Sequence, residues 1–204
     1  YLRAARRGAA DRPWVALTFD GGPDPDTTPL LLDLLRRKRV SAAFFFVGEA
    51  ARRYPALVAQ AVADGHLIGN HSDRHGYDWT IGSTERLFAE FANANHTLTA
   101  IVGEAPRFVR TPAGVSRPKL AGVLQRLNLR NVAWDVRGLE GLCRDPERIA
   151  ARIARRTRNG SIILLHERYY GVRRFDPQQV VTAAQRTVER LRERGFEFVR
   201  LDRL

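Results

Sequence analysis

The sequence predicts an α/β fold in which parallel strands alternate with helices around a barrel. Short apolar runs of strand length alternate with segments of helical period along the chain. Runs such as Ile162–Leu165 are apolar at every position, which is typical of parallel strands buried on both faces. Because parallel strands joined through helices need right-handed crossovers, the alternating order indicates a closed or nearly closed α/β barrel.

Seven strands and six helices are predicted in this order. The strands are expected at Trp14–Phe19, Ala42–Val47, Leu67–Gly69, Arg107–Val109, Asn131–Trp134, Ser161–Leu165 and Phe196–Arg200. The helices are expected at Thr28–Lys38, Pro55–Asp64, Thr84–Val102, Arg117–Leu127, Pro146–Arg158 and Pro177–Arg194. Ser83, Asp145 and Asp176 precede three of these helices as capping residues do, and Thr28 precedes a proline at a first helical position.

Length and composition indicate one folded domain. A chain of 204 residues suits a single core, and 44% hydrophobic with 27% charged residues is ordinary for globular proteins. We expect residues 1–12 to form an N-terminal stub, either a juxtamembrane segment or a frayed end, and residues 13–204 to form the domain. No methionine is present, so we expect a longer precursor whose missing segment was a signal or membrane anchor.

The charge and the cysteine content exclude or disfavour several classes of protein. The net charge is +12, but the basic residues are scattered, which favours a solvated surface over a nucleic-acid footprint. Binding to nucleic acid is therefore not expected. Cys143 is the only cysteine, which excludes an internal disulfide and a four-cysteine zinc site.

Polar side chains follow the predicted strands at the ends where parallel strands meet. They are Asp20, His71, His75, Arg110, Asp135 and His166. In parallel α/β folds, active sites form in the loops that follow the carboxyl ends of the strands. We therefore expect these side chains to gather at one mouth of the barrel.

Each candidate has an ordinary structural interpretation beside the chemical one. His71 and His75 are four residues apart, a spacing that turns both imidazoles to one side of a helix, as paired zinc ligands require. Alternatively, one caps a helix and the other is solvated, although their position at the strand ends favours a metal. Asp20 suits a general base or a carboxylate that accepts backbone bonds in a turn. His166 suits a general acid or base, or a satisfied buried histidine.

Four segments in order closely resemble the motifs of the polysaccharide deacetylase family, the carbohydrate esterases built on the NodB homology domain. They are Thr18–Pro23, His71–His75, Arg110–Gly114 and Leu164–His166, and the resemblance runs from Trp14 to Arg200. It implies a distorted (β/α)7 barrel of the NodB homology type. It also implies an enzyme that removes acetyl groups from sugar amides with the help of a divalent metal.

The resemblance assigns roles residue by residue. Asp20 is the general base, and Arg110 orients it. His71 and His75 bind the metal, with zinc expected and cobalt or nickel as alternatives. His166 is the general acid. The remaining assignments concern the substrate: the Pro112–Ala113 turn would supply a backbone N–H for the oxyanion, and Leu164 would line the acetyl pocket.

The sequence departs from the family pattern at two places. Gly21 stands where the family has a metal-binding aspartate, so the metal is expected to bind weakly unless Asp20, Asp24 or Asp73 replaces that ligand. Glu140 stands in for the carboxylate that tunes the acid histidine. Gly141 replaces a tryptophan that walls the acetyl pocket, which predicts a more open groove.

These motifs favour a metal-assisted hydrolase that removes N-acetyl groups from amino-sugar polymers of the cell envelope, either peptidoglycan or a chitin-like glycan. The alternative is a catalytically impaired family member that binds glycan, because Gly21 removes a metal ligand. The expected partner is an acetylated amino-sugar polymer, and the expected location is extracytoplasmic or in the cell envelope. The oligomeric state is not predicted.

Overall fold

A curled sheet of parallel strands forms the centre of the molecule. The computed structural model describes residues 4–76, 82–115, 118–168 and 175–204. Its strands are β1 Trp14–Asp20, β2 Ala43–Phe46, β3 Leu67–Asn70, β4 Phe108–Val109, β5 Arg130–Asn131, β6 Val136–Arg137, β7 Ile162–His166 and β8 Glu197–Phe198. They are ordered β5-β4-β3-β2-β1-β7-β6, with β8 also paired to β1. Every strand pairing is parallel, as predicted.

Seven helices surround the sheet in the described part of the chain. They are α1 Thr28–Lys38, α2 Gly48–Arg53, α3 Pro55–Ala63, α4 Thr84–Val102, α5 Pro118–Arg126, α6 Pro146–Arg156 and α7 Pro177–Glu193. Ser83, Asp145 and Asp176 accept hydrogen bonds from backbone N–H groups of the first turns, so the predicted caps are confirmed. None of these helices has the length and apolar character needed to span a membrane.

Two helix predictions need comment. Helix α2 was not predicted, because it is only six residues long and has no side-chain cap. The predicted start of α5 at Arg117 lies outside the described residues. In α1 the capping position is Thr27, whose side chain makes no capping hydrogen bond, and the Thr28 hydroxyl accepts a hydrogen bond from the Asp24 N–H in the loop after β1.

The barrel is distorted and not closed by a continuous ladder. In the described chain, β5 and β6 are the two ends of the strand order and do not pair with each other. Residues at the amino end cross this region, where Ala5 bridges to Val132 and Arg7 bridges to Ser161. This part of the predicted stub therefore packs on the barrel, whereas the boundary at residue 13 stays a prediction.

The two faces of each strand have different roles. Val15, Leu17 and Phe19 of β1 face outward into the main core beneath the helices. Alternation then directs Thr18 and Asp20 into the barrel. The same alternation on β7 places Leu164 and His166 on one face, and the pairing of β1 with β7 sets His166 beside Asp20. The strand pattern thus builds the site at the carboxyl ends, as predicted.

One site prediction from the strand pattern is wrong. The predicted strand at Asn131–Trp134 ends at Asn131, and a second strand begins only at Val136. Asp135 therefore lies at the start of β6, where it accepts hydrogen bonds from the Ser161 hydroxyl at 3.0 Å and the Ile162 N–H at 2.9 Å. It anchors the opposite end of β7 and does not reach the mouth.

Candidate active site

A buried ion pair between Asp20 and Arg110 lies at the centre of the site. Arg110 is fully buried and Asp20 is 2% exposed. The Arg110 Nη1 donates to Asp20 Oδ1 at 2.7 Å and to the Thr18 hydroxyl at 2.7 Å. Its other nitrogens donate to the carbonyls of Val132 and Ala133. The guanidinium therefore makes four hydrogen bonds and fixes Oδ1 of Asp20, while Oδ2 lies 3.8 Å from His71 Nε2.

His71 lies beside this pair in a defined tautomer. Its Nδ1 is 2.7 Å from the carbonyl oxygen of Arg110, and a carbonyl can only accept, so Nδ1 carries the proton. The unprotonated Nε2 then lies 3.8 Å from Asp20 Oδ2. Metal-binding histidines are commonly held in this way, by a hydrogen bond from the nitrogen that does not bind the ion.

The two histidines approach each other through a turn rather than a helix. Their ring centroids are 4.9 Å apart. Ser72 and His75 have φ angles of 69° and 56°, in the left-handed region, so the expected helical spacing is wrong although its consequence holds. Asn70 accepts from the Ser72 N–H and Ser72 accepts from the His75 N–H, and these two bonds fold the segment back on itself.

Burial keeps both imidazoles neutral. Desolvation is the main cause that lowers the pKa of His71, and it also lowers the pKa of His75 to about 4, with a further contribution from His71. His166 also contributes to lowering both values, which is consistent with its position at the same mouth. Neutral imidazole is the form that binds metal ions, so neither histidine needs to lose a proton first.

The donor set fits a divalent metal with two nitrogen ligands. Within the described residues, no group of three or more histidine, cysteine, aspartate or glutamate side chains is arranged to hold an ion. Gly21 has a φ of 92° and brings no side chain to the site. Two neutral imidazoles suit a borderline ion such as Zn²⁺, with the remaining positions left to other ligands.

Two of the three carboxylates considered as substitutes for the missing ligand are engaged elsewhere. Asp73 Oδ1 accepts from Arg52 Nη1 at 2.8 Å. Asp24 Oδ1 accepts hydrogen bonds from the backbone N–H groups of the turn that follows it, and Asp24 Oδ2 lies 3.5 Å from Arg168 Nη1. Only Asp20 directs a carboxylate oxygen toward His71.

His166 forms a hydrogen-bonded pair with Glu140. The His166 Nδ1 lies 2.7 Å from Glu140 Oε1, and the Glu140 side chain is 1% exposed while that of His166 is 21% exposed. Gln179 of α7 donates to the carbonyls of Glu140 and Cys143 and so holds the loop in place. The carboxylate fixes the ring so that Nε2 points away from it, as a proton donor to a substrate requires.

The predicted substrate-binding residues lie around this mouth. Leu164 is 1% exposed and shares the inward face of β7 with His166. Pro112 is buried, and Ala113 is exposed with a φ of 52° in the single 3₁₀ turn that follows Arg110. Pro112 and Ala113 thus lie at the rim, in the turn that follows Arg110, while Leu164 lies inside the barrel, and the contacts of all three with a substrate stay predictions.

Glu167 is a feature of the site to which sequence reasoning gave no role. Its carboxylate occupies the space above Gly22, where a β-carbon would lie 2.4 Å from Oε2, so a larger residue there would require the Glu167 side chain to shift. The Thr28 hydroxyl donates to Glu167 Oε2. Desolvation raises the pKa of Glu167 to about 8, opposed by the Thr28 bond and reinforced by Asp24 and Asp20. The signal in the sequence was an acidic residue directly after His166, at the end of a strand that is otherwise apolar.

Comparison with known proteins gives one consistent result. The family model described as polysaccharide deacetylase matches residues 7–132. A peptidoglycan-N-acetylglucosamine deacetylase of Bacillus cereus is 31% identical over 192 residues, covering 93% of this chain and 87% of the relative. A chitooligosaccharide deacetylase of Sinorhizobium fredii is 32% identical over 202 residues, covering 96% and 94%.

A solved structure shows the same fold. The crystal structure of the Bc1960 peptidoglycan N-acetylglucosamine deacetylase superposes with a TM-score of 0.90 at 29% sequence identity. The match covers 98% of this chain and 91% of that one. The architecture of distorted barrel and surrounding helices is therefore shared along almost the entire length.

Proposed function

This chain belongs to the polysaccharide deacetylase family, and from that membership we propose that it removes N-acetyl groups from amino-sugar polymers of the cell envelope, peptidoglycan or a chitin-like glycan. The observation that supports this best is the pairing of two acid–base groups across adjacent strands. Asp20 and His166 are register partners on β1 and β7, and each is held by a buried partner of its own.

Asp20 is suited to take a proton from water. Arg110 occupies Oδ1, so Oδ2 is the oxygen that accepts the proton as the water oxygen bonds to the acetyl carbon. Because Arg110 is itself fully buried and held by four acceptors, it is suited to keep the Asp20 carboxylate in one orientation.

His166 is suited to complete the reaction. The bond between the acetyl carbon and the sugar nitrogen breaks, and His166 Nε2 donates the proton that the departing amine requires. Glu140 stabilises the cationic imidazole through Nδ1. The products are acetate and a free amino sugar, so atoms and protons balance with water as the only co-substrate.

His71 and His75 are the residues that would hold the metal on which this family generally depends. When bound, a divalent ion supplies Lewis-acid polarisation of the acetyl carbonyl and favours deprotonation of the attacking water. The two imidazoles favour zinc, with cobalt and nickel as alternatives of the same ligand preference. The tautomer that the Arg110 carbonyl imposes on His71 leaves Nε2 ready to bind the ion.

The rim residues are suited to position the acetyl group. The Ala113 N–H, in a left-handed turn beside Arg110, would donate to the carbonyl oxygen as negative charge develops there. Pro112 fixes that turn, and Leu164 would contact the acetyl methyl from the inward face of β7. The peptidoglycan and chitooligosaccharide named for the relatives support a location outside the cytoplasm or in the cell envelope.

Gly21 supports a second candidate function. With two imidazoles in place of the three ligands typical of catalytic zinc sites, the chain would bind glycan without hydrolysing it if the ion does not stay bound. The two functions differ in their product, because only the hydrolase releases acetate.

Acetate release from N-acetylglucosamine oligomers and from peptidoglycan tests the proposal. With zinc, cobalt or nickel supplied in excess, the wild-type chain is expected to release acetate, and Asp20→Asn to release none. Arg37→Gln on the exposed face of α1 is a matched surface control that should keep full activity. Glycan binding by the wild type without acetate release under any of the three metals would favour the second candidate instead.

A further inference from the structure

One side of helix α6 carries a row of arginines that acidic side chains do not neutralise. Arg148, Arg152 and Arg155 follow one another by four and three residues, so they lie on one side of the helix. Among the residues that the structure describes, no carboxylate lies within ion-pairing distance of any of the three. This side of α6 therefore has uncompensated positive charge.

The adjoining helix shows the opposite arrangement. Glu147 of α6 is paired with Arg186 at 2.7 Å and with Arg190 at 2.7 Å, both on α7. Arg52 of α2 is likewise paired, with Asp73 at 2.8 Å. In the described part of the chain, the three arginines on one side of α6 have no such partner, which distinguishes that side from the side that faces α7.

The three arginines form one wall of a groove of about 360 Å³. The opposite wall is the loop of residues 138–143, where Leu142 is 87% exposed. Arg152 Nε is buried without a hydrogen-bond partner in the described part of the chain. Burial and then the charges of Arg156, Arg137 and Arg155 lower the pKa of Arg152. The groove is thus a concave, positively charged surface that lacks its own anion.

This groove adjoins the candidate active site. Glu140, the partner of His166, belongs to the loop that forms the outer wall. Gly138 of that wall lies so close to Glu140 that an added β-carbon would be 2.7 Å from its Oε2. Because α6 begins at the end of this loop, the row of arginines runs from the mouth down the outside of the barrel. The groove and the His166–Glu140 pair therefore share the loop of residues 138–143.

We propose that the α6 groove binds carboxylates of the glycan substrate and so directs the enzyme to an acidic polymer, peptidoglycan with its peptide carboxylates, rather than to a neutral chitin-like glycan. This proposal rests on the proposed function and adds the chemical class of its substrate. Guanidinium groups pair with carboxylates through two parallel N–H bonds, and Arg148 and Arg155 present theirs to solvent at the groove. The exposed Leu142 offers an apolar contact beside them.

A binding experiment without turnover tests this proposal separately from catalysis. The ligands are a peptidoglycan fragment with free peptide carboxylates and the same fragment with those carboxylates amidated, both titrated in chelator at low salt. The wild type is expected to bind the free-carboxylate fragment about tenfold more tightly, as a few exposed charge pairs would give. The variant R148Q/R152Q/R155Q should lose that preference, and the control R186Q/R190Q should keep it.

Two further measurements separate the outcomes. Raising the salt concentration should remove the preference of the wild type without changing its affinity for the amidated fragment. This measurement uses the wild-type protein alone. Acetate release from a neutral chitooligosaccharide should be the same in the wild type and the triple variant. Three results would overturn the groove proposal. The wild type could bind the two fragments with equal affinity, or it could bind neither at millimolar concentration. It could also bind an RNA oligomer more tightly than the free-carboxylate fragment. Loss of acetate release from every substrate would overturn the proposed function instead.

Discussion

Glu167→Gln should make the protein more stable at alkaline pH than the wild type. The Glu167 carboxyl is fully buried, and desolvation raises its pKa from 4.5 to about 8. Between these values the unfolded chain has released the proton that the folded chain keeps, so the free energy of unfolding falls as pH rises. A shift of this size, at about 1.4 kcal/mol per pH unit, corresponds to a loss on the order of 4 kcal/mol between pH 4.5 and pH 8.

The variant carries an amide of nearly the same shape that does not titrate. At pH 5, where Glu167 is protonated, the variant and the wild type should have similar free energies of unfolding. The difference should grow with pH and favour the variant by a few kcal/mol at pH 8. Urea denaturation at several pH values measures this difference directly, with metal excluded by chelator.

The control is Glu193→Gln, which removes the same charge from an exposed position at the end of α7. Its pH dependence should follow that of the wild type. Parallel stability curves for Glu167→Gln and the wild type from pH 5 to pH 8 would refute the reasoning, because they would show that Glu167 ionises normally inside the fold.

Three further predictions concern the site. Gly21→Asp should tighten zinc binding about tenfold or more in calorimetric titration, because it adds a carboxylate ligand. Without metal it should lower the free energy of unfolding by about 1 kcal/mol, because position 21 has a positive φ. Unchanged zinc affinity would contradict the first expectation. Arg110→Met should lower the free energy of unfolding by about 3–5 kcal/mol in urea denaturation, because it leaves the buried Asp20 carboxylate unpaired. Adding Asp20→Asn should therefore recover part of the lost stability. Additive losses in the double variant would contradict this explanation. Glu140→Gln should lower kcat at least about tenfold with little change in KM, because His166 loses its supporting carboxylate; an unaltered kcat would show that the pair is structural.

Local signals account for the part of the fold that the sequence predicted well. The caps at Ser83, Asp145 and Asp176 fix helix starts through bonds within one turn, and these are confirmed. The alternating faces of β1 and β7 depend only on neighbouring residues, and they place Asp20 and His166 side by side as expected.

The predictions that proved wrong concern features that depend on contacts outside the local segment. Asp135 was expected at the mouth because it follows an apolar run, but contacts with Ser161 and Ile162 hold it at the opposite end of β7. The His71–His75 segment is folded by Asn70 and by Glu90 of α4, which accepts from the backbone N–H groups of Asp73 and Arg74 at separations of 17 and 16 residues. No local period encodes such contacts.

The charged groups were predicted only in part for the same reason. The Asp20–Arg110 and Glu140–His166 pairs followed from the family motifs, and the structure brings both together. The raised pKa of Glu167 depends on the burial of its carboxyl group beside Gly22. The unpaired arginines of α6 can be recognised only when the ion pairs around them are known. Spacing along the chain contains neither kind of information.

Acetate release as a function of free zinc concentration is the most direct test of the central claim, that Asp20 and His166 act beside a metal held by His71 and His75. Protein stripped with chelator should release no acetate from peptidoglycan, and activity should rise to saturation as zinc is added back. His75→Ala should require far more zinc for the same rate, because half of the imidazole donor set is lost. A rate independent of zinc, or no acetate at saturating zinc, would contradict the account.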